Sequence, residues 1–117
     1  MDMITPLTHI KGRIQKGWNQ GWMALCKNGH AVRVESPEAV SYCLIGAVYR
    51  EGLAEEPLSR LLRELHISIK GSARHPFWFQ EDLTRWNDAI ERKKEEVLQL
   101  IDKTIERLRQ NEAKEKS

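Results

Sequence analysis

Cys26 and His30 stand four residues apart, and Cys43 lies further along the chain, so a metal is the first chemistry to weigh. Zinc takes three or four converging ligands, usually delivered in CxxC or HxxxH pairs, and the chain has neither. The hairpin described below sends Cys26 and His30 to opposite faces, because neighbouring strand positions alternate. No metal is expected. The two cysteines are also the only thiol nucleophiles. Cys43 sits in the most apolar run, where burial raises a thiol's pKa and lowers its reactivity. Cys26 is nearer the surface, but no spacing requires His9, His66 or His75 to meet it. The acidic pairs Glu55/Glu56, Glu81/Asp82 and Glu95/Glu96 fall in first turns or on charged faces of helices, whereas acid–base catalysis needs carboxylates in a cleft with shifted pKa values. There is no phosphate loop, dinucleotide fingerprint or nucleophile elbow. The expectation is no catalytic residue and no cofactor.

Two other groupings bear on binding. Trp18-Asn19-Gln20-Gly21 and Trp86-Asn87-Asp88 each place an indole beside carboxamides just outside a helix. Together they could line a pocket that stacks an aromatic ligand and bonds its edge. Equally, Trp18 completes a helical stripe, Asn87 or Asp88 caps a helix, and Gln20 satisfies loop backbone. The second grouping, Lys70 to Phe79, interleaves Lys70, Arg74 and His75 with Phe77, Trp78 and Phe79. Three consecutive aromatics cannot all point inward, so at least one is expected to be exposed or in an interface. This is the favoured contact surface.

The elements that must carry these residues are mostly helical. A first helix is expected from an N-cap at Thr5 with Pro6 in the first turn, its stripe Leu7, Ile10, Ile14 and Trp18. Trp22 to Glu35 reads as a β-hairpin about Asn28-Gly29, the preferred pair for a two-residue type I′ turn. That register sets Lys27 opposite His30 and Cys26 opposite Ala31, and puts Met23, Leu25, Val32 and Val34 on one face. Ser36-Pro37 opens a second helix whose Ala39–Tyr49 run is apolar nearly all round, hence central. Gly46 within it implies a close backbone approach, and Gly52 ends it. A third helix opens at Glu55-Glu56-Pro57 with Leu58, Leu61, Leu62 and Leu65 as its stripe, and Gly71, Ser72 and Pro76 break the pattern after Ile67. The last helix starts at an Asp88–Glu91 capping box and carries Val97, Leu100, Ile101, Ile105 and Leu108.

With 117 residues, 40% apolar and 31% charged, the chain suits one folded domain. Residues 1–110 are expected to form it, with 111–117 a polar, frayed tail. Net charge is +2, and the basic excess lies early: Lys11, Arg13, Lys16, Lys27, Arg33 and Arg50 against Asp2, Glu35 and Glu38. Duplex binding usually needs a denser basic stripe. No apolar run approaches the roughly 20 residues that span a bilayer, and the N-terminus lacks a signal-peptide pattern. A cytoplasmic protein with free thiols is expected, with no membrane association.

Three blocks together carry a resemblance: Gly17-Trp18-Asn19-Gln20-Gly21, then Ala39 to Val48, then Trp86-Asn87-Asp88 leading to Glu96-Val97-Leu98. In order and spacing they resemble domain-of-unknown-function family 6197, small bacterial and phage proteins, over about Leu7 to Leu108. The resemblance implies a shared fold and a bacterial or mobile-element origin, and no activity.

The sequence thus leads to a mainly α, four-helix domain with one β-hairpin at about residues 22–35. The expected function is a non-enzymatic protein-binding module, a phage or mobile-element factor that inhibits or adapts a host protein. A protein partner is expected, with homo-oligomerisation as a further possibility. The alternatives are a small-molecule or nucleotide-binding protein and, less favoured, a nucleic-acid-binding accessory protein. Expected binding residues are Trp18, Asn19, Gln20, Lys70, Arg74, His75, Phe77, Trp78, Trp86, Asn87 and Asp88.

Overall fold

A computed structural model describes residues 2–70 and 79–116. In chain order the elements are α1 (Ile4–Lys16), β1 (Ala24–Cys26), β2 (Ala39–Tyr42), α2 (Leu44–Tyr49), α3 (Glu55–Lys70), α4 (Phe79–Asn87) and α5 (Lys94–Lys116). The architecture is mainly α with one two-stranded antiparallel ribbon, as the patterning led one to expect.

Leu7, Ile10 and Ile14 are fully buried, so α1 uses the stripe read from its sequence. Its start differs. Asp2, not Thr5, accepts the first free N–H groups, those of Ile4 at 2.9 Å and Thr5 at 3.3 Å, and the Thr5 hydroxyl also donates to it. The helix stops at Lys16, two residues before the stripe would reach Trp18. Gly17 is extended there, and a Cβ on it would lie 2.2 Å from the Val40 carbonyl oxygen. Only glycine lets the chain turn against β2 at that point.

The Asn28-Gly29 turn forms, but as a three-residue loop. Gly29 has φ +79° and among the described residues only glycines have positive φ, which excludes type I′ because that turn would need it at Asn28 also. The Gly29 N–H donates to the Cys26 carbonyl, and the Cys26 N–H to that of His30. Register slips by one: Cys26 faces His30 and Leu25 faces Ala31. The ladder of β1 then runs not with residues 31–35 but with β2, Ala24 against Tyr42 and Leu25 against Ser41.

The Ala39–Tyr49 run is therefore not one helix. Its first four residues are strand, and only Leu44–Tyr49 is helical. Ser36 closes a turn, its hydroxyl accepting the Glu38 N–H at 3.1 Å, instead of opening a helix. The centrality of the run survives in α2, whose Leu44, Ile45, Ala47 and Val48 are buried. So does the close approach at Gly46, which abuts the Met23 backbone.

Leu61 and Leu65 of α3 are fully buried and Leu62 nearly so. The helix runs on past Ile67 to Lys70, because His66 and Ser68 find partners on α4 and α5. The fifth helix, α4, was not expected. Its Phe79 and Leu83 are buried one turn apart, with Trp86 partly buried beyond them and Glu81 and Asp82 in the first turn. α5 packs on α1 and α3, burying Val97, Leu100, Ile101, Thr104 and Ile105. It begins at Lys94 rather than after Asp88, with Glu96 accepting the Lys93 N–H. The polar stretch from Asn111 continues as exposed helix. Among the described residues no helix is long and apolar enough to cross a membrane.

Candidate functional site

The two tryptophan–carboxamide blocks meet. After Gly17 the chain runs beside β2, the Tyr42 N–H donating to the Gly17 carbonyl at 3.0 Å and the Asn19 N–H to that of Tyr42 at 3.1 Å. This brings Trp18 and Gln20 to the end of α4, where Asn87 is 0% exposed. The Asn87 side chain uses its full bonding capacity. Its Oδ1 accepts from Trp18 Nε1 at 2.7 Å and from the Leu44 N–H at 3.1 Å. Its Nδ2 donates to the Asn19 carbonyl at 3.2 Å and to Asp88 Oδ1 at 2.9 Å. Turning the amide over would set donor against donor and acceptor against acceptor, so its orientation is determined by its neighbours.

Around this centre Gln20 Nε2 donates to the carbonyls of Asn87 and Ala89 at 2.9 and 2.8 Å, and the Gly21 N–H to Asp88 Oδ1 at 3.0 Å. Asn19 Nδ2 donates to Ser41 Oγ at 2.9 Å. The loop after α1, the turn into α2 and the loop after α4 are thus clasped together. Asp88 serves this clasp and not the start of α5, which explains why that helix begins later.

Trp86 takes a different role from Trp18. The Arg92 guanidinium lies 3.9 Å from its ring centroid, while Arg92 Nε donates to the Trp86 carbonyl at 2.8 Å and Nη1 pairs with Glu96 at 3.1 Å. One ring face is covered by a fixed cation, a contact worth about 0.5–1 kcal/mol where partly exposed. Arg92 was not singled out in the sequence. Its signal is the Arg92–Glu96 spacing of four.

The clasp leaves large apolar side chains in water beside it. Trp22, next to Gly21, is 58% exposed, and Ile90, next to Ala89, is 97% exposed. Val40 is exposed on the strand that Gly17 abuts.

Of the second grouping, Arg74, His75, Phe77 and Trp78 lie outside the described residues. Lys70 closes α3 and Phe79 opens α4, its ring buried 4.9 Å from that of His66. His66 Nε2 is 2.7 Å from Asp82 Oδ2, joining α3 to α4. His9 Nδ1 and Arg13 likewise hold Glu51, at 2.9 and 2.8 Å. Neither imidazole–carboxylate pair was drawn from the sequence. His66 was legible as the next position, four on, of the Leu58–Leu62 stripe.

Cys43 caps α2, its Sγ accepting the Gly46 N–H at 3.3 Å. Burial pushes its thiol above the ordinary value of 9.0. Iodoacetamide at neutral pH is therefore expected to modify Cys26 well before Cys43, and equal rates in the folded protein would contradict this placement. Below pH 9.0 both folded and unfolded thiols hold their proton. Above it the unfolded chain ionises first, so this contribution to stability is lost as pH rises. Denaturant midpoints on either side of pH 9.0 should fall less in Cys43→Ala than in the wild type. Among the described residues no group of three His, Cys, Asp or Glu side chains is placed to hold a metal ion.

The model of a family of unknown function, DUF6197, matches residues 6–107. No curated protein and no solved structure matches the chain.

Proposed function

We propose, for a chain that belongs to the DUF6197 family of unknown function, a protein-binding role centred on Trp22 and Ile90. The observation that carries this reading is the exposure of both side chains on two loops that hydrogen bonds lock to each other, Gly21 to Asp88 and Gln20 to Ala89. Covering an isoleucine or a tryptophan is worth about 1.5–3 kcal/mol, and here neither is covered. Held rigidly, the pair would lose little conformational freedom on meeting a partner, which is what makes an exposed tryptophan a strong anchor.

The pocket reading of the Trp-carboxamide blocks has less support, because the Asn87 amide has no bonding capacity left for a ligand. The module would act by occupying or bridging another protein, as a mobile-element factor directed at a host protein does. The test compares retention of bound proteins by the immobilised wild type and by Trp22→Ser and Ile90→Ser. Both sites are exposed, so melting should change little. Truncating an anchor costs about 2 kcal/mol or more, roughly a 30-fold loss of affinity for a specific partner. Equal retention by all three proteins would end the proposal.

A further inference from the structure

A second surface lies away from the clasp. A groove of about 520 Å³ runs between α3 and the C-terminal part of α5, and Met3, Ile4 and Leu108 form its apolar base against the core. Its α3 wall carries Arg60 and Arg63, and its α5 wall Glu112 and Glu115. Glu64 of the same α3 wall pairs with Arg107 of α5 at 3.2 Å, but among the described residues no ion pair joins Arg60 or Arg63 to Glu112 or Glu115. Arg60 pairs with Glu56 on its own helix, and among the described residues Arg63, Glu112 and Glu115 have no ion-pair partner.

The helix that forms the acidic wall is itself short of a neighbour. From Arg109 to Glu115 every side chain of α5 is exposed. Two polar turns projecting into water are marginal, because isolated helices shorter than about 12–15 residues barely hold in water. Leu108, Asn111, Glu112 and Glu115, which line the groove, follow the i, i+3, i+4, i+7 spacing of a single helix face. That face carries Leu108 at one end and the acids Glu112 and Glu115 beyond it, complementing a groove whose apolar base adjoins Arg60 and Arg63, with Glu64 already paired to Arg107.

We propose that this groove receives the α5 end of a second copy of the same chain. The two α5 ends would lie antiparallel across a two-fold axis, Glu112 and Glu115 of each copy facing Arg60 and Arg63 of the other. Donor face and receiving groove are adjoining parts of one surface, so a two-fold axis makes every contact twice, as an isologous interface requires. A patch this small falls in the weak class of interfaces, below about 1,200 Å², and its exposed charges are screened by salt. The dimer is therefore reversible and salt-sensitive.

Sedimentation velocity of the full chain over a rising concentration series tests this. The wild type should pass from one-chain to two-chain mass, and added salt should move the transition to higher concentration. The double variant Arg60→Glu/Arg63→Glu alone should remain single-chain, since it sets acid against acid in both halves of the interface. So should the double variant Glu112→Arg/Glu115→Arg, which sets base against base. An equimolar mixture of the two variants should regain two-chain mass, because every cross-contact is again between opposite charges. All four positions are on the surface, and unchanged melting verifies the fold. A wild type of one-chain mass throughout, a dimer that either variant keeps, or a mixture that stays single-chain would each overturn the proposal. None of these outcomes bears on Trp22 and Ile90.

Discussion

Replacing Asn87 with alanine should unfold much of the protein's margin of stability. The substitution leaves the Trp18 indole N–H, the Leu44 N–H and the Asn19 carbonyl without the partner each now has. A buried polar group left unpaired costs about 1–3 kcal/mol, so three of them, with some relief from entering water, imply about 3–5 kcal/mol. Domains of this size hold only about 5–15 kcal/mol in all. At roughly 4 °C per kcal/mol, the melting temperature should drop by about 10–20 °C. Asn87→Asp separates polarity from volume. It keeps acceptors for Trp18 and Leu44, but it removes both donors and sets a second carboxylate against Asp88. It should fall nearly as far as alanine, although the side chain is the same size. If either variant melted within a few degrees of the wild type, the clasp would not be what holds the three loops together.

Gly46→Ala should be the most damaging glycine-to-alanine change among the described residues. Its Cβ would sit 1.8 Å from the Met23 carbonyl oxygen and 2.7 Å from the Met23 carbonyl carbon. Both are backbone atoms, so no side-chain rotation relieves the overlap, and α2 must part from the segment leading into β1. Overpacking of this kind costs about 3 kcal/mol or more, against a gain near 1 kcal/mol from alanine's better helix propensity. Gly12→Ala is the matched control. It lies in α1 with nothing within 4 Å of the added Cβ, and should stabilise by about 0.5–1 kcal/mol. The same chemical change thus has opposite signs at two helical positions. Chemical denaturation of both variants reads this directly, and a stable Gly46→Ala would refute the close approach.

The two substitutions bear on the functional reading through one physical link. Trp22 lies between Gly21, which donates to Asp88, and Met23, which abuts Gly46. A partner that recognises Trp22 and Ile90 needs both loops in place, so Asn87→Ala should weaken that recognition even below its own melting temperature. Substitutions on the groove between α3 and α5 should not.

Much of this was legible residue by residue, for identifiable reasons. The stripe Leu7, Ile10 and Ile14, the α3 leucines and the run from Val97 to Ile105 are local patterns, and burying one face of a helix needs only its own sequence. Gly46 was legible because a glycine among apolar residues in a helix has to be compensated by proximity. Asn87 and Asp88 stood out as carboxamide and carboxylate beside a tryptophan, but their partners did not, since Gln20 and Trp18 are nearly seventy positions away.

What the sequence by itself determined is therefore the composition of faces: which residues seek burial, where glycine must sit, and that Asn28-Gly29 turns the chain. What only the tertiary structure decided is pairing. Residues 39–42 are apolar enough for a helix, yet they form strand because β1 on one side and Trp18 on the other offer backbone partners. Asp88 could cap a helix, yet it bonds Gly21 because the clasp delivers an N–H to it. In each case the local preference is a few tenths to about 1 kcal/mol. Several hydrogen bonds formed together across the fold outweigh that preference, and their partners lie too far apart in the chain for any local window to contain both.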